Sequence, residues 1–253
     1  MNQYQLITDS SVEQEYSASV PLAHRKKFAQ FFTPLPVAKL LTQWLLGNPN
    51  LQTVQEPAFG LGIFSRLLLS HRNDLSIRAF EIDPTILATA KKHFADVPNI
   101  KILPQDYMEN DWHNKYDGII CNPPYFKFHD YNNKPILKTV AEKLDCPLTG
   151  FTNLYTLFLL KSLYQLNENG RCAYLVPSEF LNSNYGEIIK SYLLQKGMLR
   201  HIIVIDFSEN VFDDVITTAS IILCANSKEG DTVNFSYVQS ISDLHQVQQG
   251  LSE

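Results

Sequence analysis

Long apolar runs are missing from this sequence. The longest, residues 154–166, is interrupted by Thr156, Lys161, Ser162 and Gln165 and is too short to cross a bilayer, and no apolar core follows Met1. Neither membrane insertion nor export is expected, and a cytoplasmic protein is. Paired cysteines are missing too. Cys121, Cys146, Cys172 and Cys224 lie far apart with no Cys-x-x-Cys, a pattern of small buried hydrophobes in a reducing compartment rather than of disulfides or metal ligands. Excess positive charge is absent: a net charge of −5 argues against binding nucleic acid over the whole surface, because phosphate neutralisation supplies most non-specific affinity. A local basic face remains available in His24-Arg25-Lys26-Lys27 and in the scattered Lys127, Lys134, Lys138 and Lys143. The chain also has no internal repeat, no low-complexity tract and no Gly-Lys-Ser/Thr phosphate loop.

What is present is an ordinary globular composition, 45% hydrophobic and 19% charged over 253 residues, enough for one large α/β domain or two small ones. From about residue 50, strand-type runs at 51–56, 75–81, 100–103, 116–121 and 171–176 alternate with helix-type segments at 62–71, 84–94, 153–166 and 185–194. Closing strands are expected at 202–206, 216–224 and 232–237. Pro84 suits the first turn of a helix, while Asn169-Gly170 and Gly197 suit helix ends. The alternation predicts a sheet with helices on both faces. Residues 1–25 are polar and mixed, and are expected to be either a disordered lead or an arm that orders on a partner.

The most informative residues are Asn122-Pro123-Pro124-Tyr125, directly after the predicted strand 116–121. Each proline locks its own φ and pushes the preceding residue out of the helical region, so Asn122 and Pro123 are both held extended with their polar groups at fixed angles. Tyr125 adds a flat ring. Such a platform suits chemistry on a planar amine.

In open parallel sheets ligands bind beyond the carboxyl ends of the strands, so the residues following successive strands should converge on one crevice. After the first strand stand Glu56-Pro57-Ala58-Phe59-Gly60-Leu61-Gly62, whose glycines let backbone approach a ligand at a helix N-terminus. After the second stand Glu81-Ile82-Asp83, an acid placed to accept ribose hydroxyls roughly twenty residues after the glycine turn. After the third stand Asp106-Tyr107, able to bond an adenine amino group and flank its ring. A third glycine, which a nicotinamide cofactor would want, is lacking. S-adenosylmethionine fits better, since it has no pyrophosphate and needs ribose, adenine and amino-acid contacts.

With these motifs the sequence resembles the amino-type DNA methyltransferases that methylate adenine at N6, in the class whose cofactor region precedes the catalytic one. Phe28-Ala29-Gln30-Phe31-Phe32-Thr33-Pro34 resembles that class's N-terminal cofactor motif. Residues 56–62 resemble its Asp/Glu-Pro-Ala-Cys-Gly-x-Gly motif, with Phe59 standing where the family usually has Cys. Thr149-Gly150 through Tyr155, Gly170-Arg171, the run Val176-Pro177-Ser178-Glu179-Phe180-Leu181, and Val211-Phe212 through Thr217-Thr218-Ala219 resemble later blocks. The resemblance implies a class I S-adenosylmethionine-dependent methyltransferase fold, Rossmann-like, with a mostly parallel seven-stranded sheet, an antiparallel strand near the C-terminal end and helices on both faces.

It further implies a cofactor pocket built by Thr33, Glu56, Ala58, Phe59, Gly60, Gly62, Glu81, Ile82, Asp106, Tyr107 and Asn122, with no metal. By the same resemblance Asn122 and Pro123 accept the hydrogens of the target amine, with Pro124 and Tyr125 completing the catalytic motif. Tyr125 and Phe212 are expected to stack on the flipped base. The partner implied is DNA, with restriction or defence as the setting. Asn-Pro-Pro-Tyr also occurs in methyltransferases of protein glutamine and of ribosomal RNA amines, and a catalytically idle cofactor-binding module of a larger complex is a further alternative. The expected organisation is an arm at 1–25, a catalytic domain at 26–240 and a tail at 241–253, where the family's target-recognition domain would follow. On this expectation recognition comes from a missing domain or a separate specificity subunit.

Overall fold

The computed structural model describes residues 6–127, 134–145, 148, 150, 152–206, 218–227 and 232–251. Its sheet has the order β3-β2-β1-β4-β5-β7-β6-β8. The strands are β1 (Thr53–Glu56), β2 (Ser76–Phe80), β3 (Ile100–Leu103), β4 (Tyr116–Cys121), β5 (Leu166–Pro177), β6 (Leu199–Ile205), β7 (Ala219–Ala225) and β8 (Asn234–Val238). All neighbouring pairs are parallel except β5 with β7 and β6 with β7, so among the described residues β7 is the single antiparallel strand. An eighth strand extends the sheet beyond the seven that the family resemblance implies, because β8 pairs in parallel with β6 from His201↔Asn234 to Ile205↔Val238.

Helices cover both faces. Their ranges are α1 (Ser11–Ser19), α2 (Leu22–Lys27), α3 (Leu35–Leu46), α4 (Ile63–His71), α5 (Pro84–His93), α6 (Lys134–Leu144), α7 (Leu154–Tyr164), α8 (Asn184–Gln195) and α9 (Ile241–Gly250). On one face Leu40, Leu41 and Leu45 of α3, Leu67 and Leu68 of α4 and Leu244 of α9 form one core with Val54, Ile120 and Ile221. On the other, Val140 of α6, Leu157 and Leu160 of α7 and Leu193 of α8 pack with Ile119, Cys121 and Ile222. Alternate residues of β4 feed opposite cores, which explains its near-continuous apolar run. Among the described residues no helix is long and apolar enough to cross a membrane.

Helices also form in residues 11–27 and 241–250. Residues 11–27 fold as α1 and α2 against the domain because the α4 residue Arg66, wholly buried, needs a counter-charge. Glu13 supplies it in a close ion pair, and Arg66 Nη1 also donates to the carbonyls of Ile7 and Asp9 at 2.8 and 3.3 Å. Val12 and Tyr16 complete the anchorage by packing with Leu61 and Ile86. Periodicity in α1 is weak, so the sequence there reads as polar. Residues 241–250 likewise form a helix that belongs to the core, held to α3 by Leu244 and by Gln248 Nε2 donating to Gln43 Oε1 at 2.5 Å.

A further departure lies at the start of β5, which begins at Leu166 and runs through Asn169-Gly170, where a helix stop is expected. Gly170 is needed there because a Cβ would come within 3.0 Å of the Asn167 carbonyl and 3.1 Å of the Tyr116 carbonyl, where the register with β4 shifts.

Removing one partner of a buried ion pair strands the other charge. Glu13→Ala should therefore lower stability by about 3–5 kcal/mol in urea denaturation. A loss below about 1 kcal/mol, the range of an exposed pair, would refute the anchoring role given to Arg66.

Candidate functional site

The chain winds outward from β1 to β2 and β3, then returns to place β4 on the other side of β1. At this reversal the connections leave in opposite directions, so a crevice opens beyond the carboxyl ends of β1 and β4. A cleft of about 390 Å³ lies there, lined by Thr33, Glu56, Gly60, Glu81, Asp106 and Asn122 among others. Five sequence neighbourhoods far apart in the chain thus share one cavity.

The floor is the turn after β1. Gly60 and Gly62 have φ of +55° and +74°, a region that disfavours side chains. At Gly62 a Cβ would also lie 2.4 Å from the Phe59 ring. Phe59, buried against Phe94 with centroids 5.2 Å apart, therefore fills the space beside the glycine that closes the turn. Glu56 is buried beneath. Its Oε2 accepts from the Ser65 amide at 3.1 Å and the Ser65 hydroxyl at 2.5 Å, while its Oε1 is buried without a partner. Burial pushes the carboxyl up to about 8, against the opposing pull of the Ser65 bonds and the Arg66 charge. An unsatisfied buried oxygen on the cleft wall is a receptor for a cationic or hydrogen-donating ligand.

Glu81 crosses from β2 to this turn. Its Oε2 accepts from Gly60 N at 2.9 Å, and its Oε1 accepts from the amides of Ile82 and Asp83, both at 2.8 Å. Burial raises its carboxyl above the ordinary value, with the three amides partly offsetting the shift. Ile82 stands at the lip, 57% exposed. Asp106 also lines the cleft, and its Oδ1 accepts from Met108 N at 2.7 Å. Tyr107 also lines the cleft; it is 1% exposed, and its hydroxyl bonds to Gln165 Oε1 at 2.7 Å and to Ser162 Oγ at 3.0 Å.

Asn122 is held from the N-terminal side. Its Nδ2 donates to the Phe31 carbonyl at 2.8 Å and to Thr33 Oγ1 at 3.1 Å. A carbonyl can only accept, so this pair fixes which end of the amide is nitrogen. The oxygen therefore points the other way, where it accepts from the Tyr125 hydroxyl at 2.5 Å. Tyr125 is half-buried, packs edge-on to Tyr155 at 6.2 Å, and is kept protonated by burial, which pushes its hydroxyl well above the ordinary value. Pro124 lines the cleft and Pro123 is buried. Phe212, together with Val211, Thr217 and Thr149, lies outside the described residues.

Some lining residues are not evident from the strand ends. Phe126 lines the cleft, and its carbonyl accepts from Leu154 N at 3.1 Å, tying the platform to the start of α7. Gln30 and His24 both reach Asp83, from Nε2 at 2.6 and 2.8 Å, and fasten the N-terminal segment over the β2 end. Burial opposes ionisation of Asp83, yet the bonds from His24, Thr85 and Gln30 win and its carboxyl lies below the ordinary value. Ala29, on the wall between them, has a φ of +50°. Such backbone is held only by its surroundings.

Sheet order, glycine turn and strand-end acids together define the class I S-adenosylmethionine-dependent methyltransferase fold. The fold is shared with the type I restriction-modification methyltransferase subunit of Streptococcus thermophilus, at a TM-score of 0.75 and 18% identity over 88% of this chain and 53% of that one. It is also shared with a Listeria monocytogenes protein assigned to that class, at a TM-score of 0.74 and 16% identity over 96% of this chain and 75% of that one. More narrowly, the chain belongs to the Eco57I restriction-modification methylase family, whose model matches residues 63–212. Type II methyltransferase M.AccI of Acinetobacter calcoaceticus is 63% identical over 95% of this chain, which spans 45% of that relative's length.

The raised Glu56 carboxyl predicts a pH dependence of stability. Unfolded, the group ionises near 4.5, and folded near 8, so between these values the folded chain holds a proton that the unfolded chain releases. Stability is full below the lower value and falls as pH rises toward the upper. Glu56→Gln removes this loss, so its melting temperature should move above that of the native chain as pH rises; parallel curves would refute the assignment.

Proposed function

We propose that this chain is the catalytic unit of a restriction-modification methyltransferase that transfers a methyl group from S-adenosylmethionine to the N6 amine of an adenine flipped out of DNA. The observation that carries this reading is the fixed amide of Asn122, whose oxygen is turned away from Phe31 and Thr33 at the edge of a nucleoside-sized cleft. Family membership and the similarity to M.AccI support the restriction-modification setting.

The residues present fit the cofactor. Glu56 Oε1, buried and unpartnered, suits the ammonium of its amino-acid end, and the glycine turn admits its backbone closely. Glu81 Oε2, which accepts only from Gly60 N, has a second lone pair for a ribose hydroxyl, whereas Oε1 is filled by the Ile82 and Asp83 amides. Asp106 suits the adenine amine, Ile82 covers one face of that ring, and Thr33, Ala58 and Phe59 shape the methionine end. Bound there, the cofactor supplies a methyl group made electrophilic by its sulfonium.

The adenine amine is a poor nucleophile because its lone pair is delocalised into the ring. Asn122 Oδ1 and the Pro123 carbonyl accept its two hydrogens, which draws the nitrogen toward tetrahedral geometry and stabilises the positive charge it gains in the transition state. One lone pair of Oδ1 is engaged by Tyr125 and the second serves the substrate. Thr33 contributes to both subsites, since it holds Asn122 while lining the cleft, and orientation of this kind supplies much of the rate. Flipping a base costs a few kcal/mol. Stacking on Tyr125 and Phe212, at about 1–3 kcal/mol per base, offsets that cost. Target recognition is proposed to come from a further domain or a partner chain.

Transfer of labelled methyl to DNA, ribosomal RNA or a glutamine peptide tests the reading. Methyl should appear at adenine N6, and Asn122→Ala should lower turnover by at least about 100-fold, the scale of losing one oriented polar group at a transition state, while retaining cofactor binding. Incorporation only into RNA or peptide overturns it. Binding an ammonium beside Glu56 also ionises that group, so calorimetry in two buffers near neutral pH should record proton release that Glu56→Gln abolishes.

A further inference from the structure

Behind the adenine subsite is a buried amine that the reaction does not use. Lys161, on α7, is wholly buried, and its Nζ donates to the backbone carbonyls of Tyr107 and Asn110. Its charge sits over the rings of Tyr107 and Trp112, 4.0 and 4.4 Å from their centroids. No carboxylate touches it among the described residues. Burial depresses its ammonium to about 7, with Asp111 and Asp106 acting at a distance in its favour and Lys143 against it. A lysine so placed is costly unless what it holds is worth fixing.

Everything it holds belongs to the β3–β4 loop, which carries Asp106. One helical turn further, Gln165 repeats the grip: its Nε2 donates to the carbonyls of Asp111 and Asn114, and its Oε1 accepts from Tyr107. Ser162 adds a bond to the Tyr107 hydroxyl. Positions 158, 161, 162 and 165 lie on one stripe of α7 by helical spacing. At its other end α7 starts on the Phe126 carbonyl, beside the catalytic motif. The helix is thus a strut between the amine-binding platform and the loop that receives the cofactor's adenine.

We infer that Lys161 is a positioning residue, which through the Tyr107 and Asn110 carbonyls sets the height of Asp106 against the cofactor's adenine. The inference rests on the cofactor reading of the cleft. Neutral or charged, the amine retains enough hydrogens for both carbonyls, so the grip persists across its titration. Removing it leaves two buried carbonyls unsatisfied and lets the loop relax.

The test uses Lys161→Met, which keeps the stem and deletes the amine, in the full chain. Dissociation constants for S-adenosylhomocysteine and for adenosine should rise by the same factor, about 10- to 100-fold, as the lost bonds act on the adenine end alone. Turnover at saturating cofactor should stay within about threefold of native, the spread of context effects. If the variant does not fold, Gln165→Met serves, with a smaller rise expected for both ligands. A lower melting temperature with unchanged affinities overturns the inference and leaves the cofactor reading intact. Weakened homocysteine-nucleoside binding with unchanged adenosine binding also overturns it. A native chain that binds neither ligand overturns both.

Discussion

The reversal of strand order between β1 and β4 is the constraint from which the site follows. Because the chain runs out to β3 and returns past β1 to β4, the loops after β1 and β4 part in opposite directions and leave a crevice between them. Glu56 ends β1 and Asn122 directly follows β4, and both line the cleft that opens there. Polar groups that would be costly in a closed core are tolerated at this position, since a ligand can satisfy them. The partnerless oxygen of Glu56 is the clearest case.

A cleft open on one side would leave these groups to water, and the N-terminal segment prevents it. Its hold is electrostatic more than apolar: Glu13 on Arg66, and His24 and Gln30 on Asp83. Asp83 caps α5 two residues after Glu81, so the same carboxylate that starts a helix also anchors the cover. The cover in turn holds Asn122 through Phe31 and Thr33. The turn after β1 and the Asn122-Pro123-Pro124-Tyr125 run are therefore tied together at two places, by this segment on one side and by α7 on the other.

Much of this was legible beforehand, for identifiable reasons. The glycine turn, the strand-end acids and the Asn-Pro-Pro-Tyr run are local devices whose chemistry depends on neighbours in sequence, and the strand alternation from β1 to β4 follows from apolar runs buried on both faces. The helical nature of residues 11–19 was not, because α1 buries only Val12, Glu13 and Tyr16, too few apolar residues to write a period. Nor were the partners of the Tyr107 hydroxyl, Ser162 and Gln165, because they stand more than fifty residues away.

Residue types and their short-range order determined the kind of chemistry this protein is built for: two prolines stiffen an amide, glycines admit a ligand to backbone, and acids stand where strands stop. Those properties survive in any fold that keeps the segments intact. Which end of the Asn122 amide is oxygen, which aromatic faces the cleft and why a lysine is buried in α7 were decided only by the tertiary structure. Each depends on a hydrogen bond between groups about fifty or more residues apart, Asn122 to Phe31 or Lys161 to Tyr107, and such a bond exists only once the sheet has placed its donors and acceptors within reach.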